Sequence, residues 1–141
     1  MNLSLKSLEN AVEQLEKSLK YYHSDIVQSD PELVLQLRAA SIQSFEFTYE
    51  LSWKMLKRYL KMTAPNPDEI EALSFPDLIR RGSDKNLLLS DVKRWNRYRQ
   101  ERGATSHTYD SKKAQEIFEK LPAFLEEAKY LLQKLQERVS E

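Results

Sequence analysis

An all-α fold, an antiparallel up-and-down four-helix bundle with an additional short helix, is predicted by three features of the sequence. Only two glycines occur in 141 residues, so the turn chemistry of a multi-stranded sheet is nearly absent. Lysine, glutamate and leucine dominate, as they do in long helices. Apolar residues recur three and four apart over long stretches, the period of a helix with one buried face. The length suits one domain covering residues 1–141.

Leu8, Val12, Leu15, Leu19 and Tyr22 lie on one stripe and predict a helix from about residue 3 to 23. Ser24 to Asp30 breaks the pattern. Asp30-Pro31 then supplies an N-cap and a proline at the first helical position, where a missing N–H costs nothing. From Glu32 to about Lys61 no proline or glycine interrupts the chain. Ile42, Phe45, Tyr49, Ser52, Leu56 and Tyr59 trace one stripe, and Phe47, Leu51 and Met55 trace a second beside it. So wide a face needs more than one neighbour, which places this helix centrally or against a second subunit.

Thr63 to Ser74, with Pro65 and Pro67, reads as a loop. Phe75 to Gly82 reads as a short helix closed by Gly82 in a left-handed C′ position. Ser90-Asp91 caps a helix through Val92, Trp95 and Tyr98 that is expected to stop near Arg102-Gly103. Asp110 or Ser111 caps the last helix, whose stripe runs from Ala114 to Val139 with a kink expected between Phe118 and Pro122.

Composition excludes several chemistries. Two glycines cannot build a phosphate-cradling Gly-rich loop. Zero cysteines remove disulfides, thiolate zinc sites and thiol nucleophiles, and fit a reducing, cytoplasmic compartment. No apolar run reaches the ~20 residues that span a bilayer, and the charged first twenty residues do not form a signal peptide. The carboxylate-bridged di-iron pattern needs Glu-x-x-His, but Lys20 and Ala104 stand three residues before the two histidines. No metal or other cofactor is expected, although magnesium held by carboxylates and a substrate phosphate stays open.

Net charge is zero, with 22 basic and 22 acidic residues, so any anion-binding surface has to be local. Lys93 to Arg102 holds five basic residues against the single acid Glu101. Arg94, Arg97 and Arg99 can grip phosphate oxygens bidentately, and Trp95 and Tyr98 can stack on bases. The same aromatics at helical spacing also fit a core face, and the arginines a solvated one. His107 follows Arg102 by five residues, just before the last helix. A histidine exchanges protons near neutral pH and an arginine stabilises a phosphodiester's developing charge, which suffices for metal-independent RNA cleavage by the substrate's 2′-hydroxyl. Tyr109 adds a phenol that can stack, hydrogen-bond or accept a modification. A structural loop histidine and a helix-start tyrosine account for the same positions.

Two blocks resemble a known family: Ser44 to Lys54 (SFEFTYELSWK) followed by Leu56-Lys57, and Thr105 to Asp110 (TSHTYD). They are similar to the signature blocks of the nucleotidyltransferase substrate-binding proteins of the HEPN superfamily, which includes HepT-like toxins. The similarity runs over nearly the whole chain, including Phe75 to Gly82 and Leu121-Pro122. The resemblance implies a four-helix homodimer that binds a minimal nucleotidyltransferase, which supplies the nucleotide chemistry in trans. It implies that Arg102, His107 and Tyr109 match an Arg-x-x-x-x-His-x-Tyr motif, two copies facing across the dimer. In HepT-like members the arginine and histidine cleave RNA, and the partner transfers AMP to the tyrosine to silence the toxin. Gly103 departs from the family, where a polar residue, often asparagine, follows the motif arginine; the departure bears on ribonuclease activity more than on partner binding.

Overall fold

The computed structural model describes residues 3–139, and within them every regular element is helical. The order is α1 (Lys6–Tyr22), α2 (Asp25–Gln28), α3 (Pro31–Thr63), α4 (Pro67–Glu71), α5 (Phe75–Asp84), α6 (Val92–Ala104), a 3-10 turn (Thr105–His107), α7 (Ser111–Phe118) and α8 (Leu121–Val139). Aspartates set three of the starts. Asp30 accepts from the N–H groups of Glu32 and Leu33, Asp91 from that of Arg94, and Asp110 from those of Lys112 and Lys113.

The long α3 is the axis, packing against α1, α2 and α4 to α8. Its first stripe is buried from Ile42 to Tyr59, and the small polar residues Ser44, Thr48 and Ser52 are buried with it. Their hydroxyls are satisfied inside the helix: Thr48 Oγ1 donates to the Ser44 carbonyl and Ser52 Oγ to that of Thr48, each at 2.7 Å. Thr48 Oγ1 also lies 3.2 Å from the Ala11 carbonyl, so these small side chains bring α1 close. The aromatic centre joins α3, α6 and α8. Phe124 meets Phe45, Trp95 and Tyr98 edge to face at 5.0, 6.0 and 5.0 Å. Truncating a fully buried ring such as Phe124 to alanine removes ~3–5 kcal/mol.

Several expectations are corrected. The segment read as a loop from Thr63 to Ser74 contains α4, because Asn66-Pro67 repeats the cap-then-proline start of α3. Ser24 caps a further short helix, α2. Gly82 does not close its helix: α5 continues to Asp84, no glycine has positive φ, and the left-handed residue is Asn86, at φ 60°. The end of α6 at Ala104, in contrast, agrees with the expected stop near Arg102-Gly103. Before Pro122 the helix breaks outright, with the Glu119-Lys120 turn separating α7 from α8. In the second stripe of α3, Met55 is buried and Leu51 partly so, but Phe47 is exposed, as are Leu33 and Leu35 nearer the start of the helix.

Candidate functional site

The face that α6 turns inward is aromatic. Trp95 is 0% and Tyr98 3% exposed, so neither ring offers a face to a base, and the expectation that they stack on nucleic acid is overturned. Burial, reinforced by the buried Glu127 carboxylate, pushes the Tyr98 phenol above its usual range. Arg94, Arg97 and Arg99 are exposed, but on two flanks. Arg94 and Arg97 line a cleft of about 470 Å³ with Gln100, Glu101, Lys113 and Lys120. Arg99 lies on the other flank, its guanidinium 4.9 Å from the Phe75 ring centroid.

Arg102 sits where α6 meets α3. Its Nη2 lies 3.8 Å from Glu46 and its Nε 3.7 Å from Glu50, both carboxylates projecting from α3. Its Nη1 donates to Thr105 Oγ1 at 3.1 Å, and that hydroxyl donates back to the Arg102 carbonyl at 2.7 Å. Thr105 is buried and begins the 3-10 turn that carries His107, so the arginine is joined to the histidine's backbone through one threonine. Thr108 Oγ1 donates to the Thr105 carbonyl and the Asp110 N–H to that of His107, which closes the turn into the cap of α7. His107 and Tyr109 are exposed, with ring centroids 6.0 Å apart and planes at 74°. Tyr109 is 85% exposed, the most exposed of the chain's large hydrophobic or aromatic side chains described. Arg38 of α3 steadies the same corner, donating to Gln115 Oε1 and Ser111 Oγ at the start of α7.

Sequence reasoning missed a second cleft. Tyr49, Glu50, Trp53 and Lys57 from α3, Leu73, Phe75 and Leu78, and Arg99, Arg102 and Gly103 from α6 enclose about 460 Å³. Burial raises the Tyr49 phenol to about 12, so it stays protonated at the cleft floor. The available signal was aromatic and basic residues interleaved at Trp53, Lys54 and Lys57, but only the fold brings Phe75 and Arg99 to them. Among the described residues no three His, Cys, Asp or Glu side chains cluster as metal ligands, and no helix is long and apolar enough to cross a membrane.

Residues 3–137 match the family described as nucleotidyltransferase substrate binding protein like. A Haemophilus influenzae protein named "Probable ribonuclease HepT" is 44% identical over 102 residues, covering 72% of this chain and 69% of that protein. A solved Haemophilus influenzae structure, described as the fold of a substrate binding domain of a nucleotidyltransferase, superposes with a TM-score of 0.89 at 37% identity. That match covers 94% of this chain and 99% of the other. A crystal structure from Thermus thermophilus superposes with a TM-score of 0.70 at 29% identity, covering 91% and 98% of the two chains.

Proposed function

The chain belongs to the nucleotidyltransferase substrate binding protein like family, and from that premise we propose that it is the dimeric, cytoplasmic binding partner of a minimal nucleotidyltransferase in a two-component, toxin-antitoxin system. Its acceptor site is Arg102, His107 and Tyr109. The observation that carries this reading is Tyr109, a phenol 85% exposed beside His107 and next to the cap of α7. An acceptor has to enter another protein's active site, and no other tyrosine described is so open. In the transfer, Tyr109 Oη attacks the α-phosphorus of ATP, a new phosphodiester forms and pyrophosphate leaves; the phenolic proton passes to a base of the partner. The exposed Phe47 on α3, with Leu33 and Leu35, supports a homodimer seam, and two copies of each protein would make a heterotetramer.

Mixing the purified chain with the nucleotidyltransferase and ATP tests this. Co-elution and a one-AMP mass gain on the Tyr109 peptide, absent in Tyr109→Phe, are expected; the absence of both co-elution and mass gain would refute it.

A second reading, a metal-independent endoribonuclease toxin silenced by that AMP transfer, is favoured by the Thr105 hydroxyl that ties Arg102, at the end of α6, to the turn carrying His107, and by the ribonuclease name of the Haemophilus relative. Arg102 would hold the phosphodiester while His107 moves the proton; the 2′-oxygen attacks phosphorus and the 5′-oxygen leaves, giving a 2′,3′-cyclic phosphate. RNA cleavage that persists in EDTA and vanishes in His107→Ala is the expected signature. Equal cleavage by that variant would eliminate it.

A further inference from the structure

We propose that the cleft between α6 and α7 is a protein-docking groove, in which Arg94, Arg97 and Lys113 hold an extended acidic segment of the protein that receives Tyr109. The inference rests on the preceding reading in taking Tyr109 as a group presented to a partner; the groove's preference for carboxylates rests on its own lining.

Its place in the fold points to that occupant. α6 leads into the turn that carries His107 and α7 begins just after Tyr109, so the helices that present the phenol are also the walls of this cleft of about 470 Å³. Ala104 and Lys113 mark its end next to the turn. From Arg94 to Ala104 it runs about 15 Å along α6, room for roughly four or five extended residues. A protein that encloses Tyr109 is therefore placed to lay a segment along it.

The charges point the same way. Arg94, Arg97 and Lys113 form no side-chain hydrogen bond or ion pair among the described residues, whereas Lys120 lies 3.7 Å from Glu101. Three uncommitted cations on one groove, in a chain of zero net charge, call for an anionic partner, and arginine forks grip carboxylates bidentately. Two features favour a peptide over a phosphodiester chain. No aromatic side chain lines the groove, because Trp95 and Tyr98 turn into the core, so bases have nothing to stack on. Glu116, exposed on the α7 wall and without a cation partner among the described residues, interrupts the positive run that a string of phosphates would track. Glu116 and Gln100 suit a peptide instead, since between them they accept from its N–H groups and donate to its carbonyls.

Fluorescence anisotropy of the full chain with a labelled nine-residue peptide of Glu-Asp-Leu repeats, beside labelled nine-nucleotide oligouridylate, tests the assignment. The peptide is expected to bind wild type at least tenfold tighter than it binds Arg94→Glu/Arg97→Glu, and tighter than the oligouridylate binds. Lys6→Glu/Lys20→Glu removes the same charge from α1, away from the groove, and is expected to bind the peptide within about twofold of wild type. No peptide binding by wild type, equal loss in the two double variants, or tighter binding of oligouridylate would overturn the groove. Co-elution with the nucleotidyltransferase is expected to be lost in Arg94→Glu/Arg97→Glu; its survival there, beside a wild type that co-elutes, refutes the groove and leaves the partner reading intact. Groove-dependent peptide binding by a wild type that neither co-elutes nor gains AMP on Tyr109 refutes the partner reading alone.

Discussion

Arg102 and Glu50 face each other across the junction of α6 and α3 with Nε 3.7 Å from Oε1, close enough for ion pairing and too long for a hydrogen bond. Both side chains keep about a third of their surface exposed, at 34% and 35%. A pair this loose and wet contributes ~0–1 kcal/mol to stability. Its consequence is competitive: Glu50 occupies field that an anionic ligand of Arg102 would otherwise use.

Glu50→Gln is therefore expected to unfold within ~1 kcal/mol of wild type while inorganic phosphate binds at Arg102 several-fold more tightly at low salt, the gain fading as salt screens the charges. Dialysis at two ionic strengths measures it. An unchanged affinity would mean that Arg102 does not meet the anion.

The two glycines are expected to respond with opposite sign. A Cβ on Gly103 would meet nothing within 4 Å, and the residue sits in α6 with ordinary backbone. Gly103→Ala should gain ~0.5–1 kcal/mol by restricting the unfolded chain. At Gly82 the added Cβ would lie 3.0 Å from Leu56 Cδ2 and 3.1 Å from Leu88 Cδ1, both in the core. Overpacking there outweighs the propensity gain, for a net loss of ~1 kcal/mol. Urea unfolding of the two variants checks the signs; a shared sign would contradict the contrast.

These glycines also mark where sequence reading stops. Helix starts were legible because Asp30, Asp91 and Asp110 act through N–H groups two or three residues away. The stops of α1, α3 and α6 were legible to within two residues, but those of α5 and α7 were not. Gly82 is required by leucines from α3 and from beyond α5, a tertiary demand invisible in its own neighbours. The short α4 was hidden because five residues carry no periodicity, though Asn66-Pro67 repeats the signal at Asp30-Pro31. Arg102, His107 and Tyr109 stood out because a tight turn keeps them near in sequence as well as in space. The Trp53 cleft escaped notice because α3, α5 and α6 each supply only part of it. Trp95 and Tyr98 were ambiguous for a related reason: three-residue spacing names a shared face without saying which side water occupies.

Glu127 holds the start of α6 in place. It is fully buried on α8, and its Oε2 accepts from the N–H groups of Leu89 and Ser90, each at 3.1 Å, just before the Asp91 cap. Glu127→Ala strands two amides and should cost on the order of 3 kcal/mol. Glu127→Gln retains an acceptor oxygen and should cost less than half as much. Denaturant midpoints distinguish the two; equal losses would show that packing, and not the paired acceptance, is what Glu127 contributes.

Glu101, half-sunk between α6 and α7, supplies a pH test. Burial raises its carboxyl above the ordinary 4.5, and the Lys120 ammonium 3.7 Å away only partly offsets this. An acid with a raised folded value binds protons more tightly when folded. Its contribution to stability is therefore fully present below 4.5 and is lost as pH rises through the folded value. Glu101→Gln has no charge to bury, so its stability relative to wild type is expected to rise as pH climbs from 4.5 towards neutrality and then level off. Thermal midpoints of the two proteins across that range measure the difference. A difference that falls with pH would mean that the Lys120 pairing outweighs desolvation, and with it that the Arg94 and Arg97 cleft carries a stably ionised carboxylate which would repel phosphate.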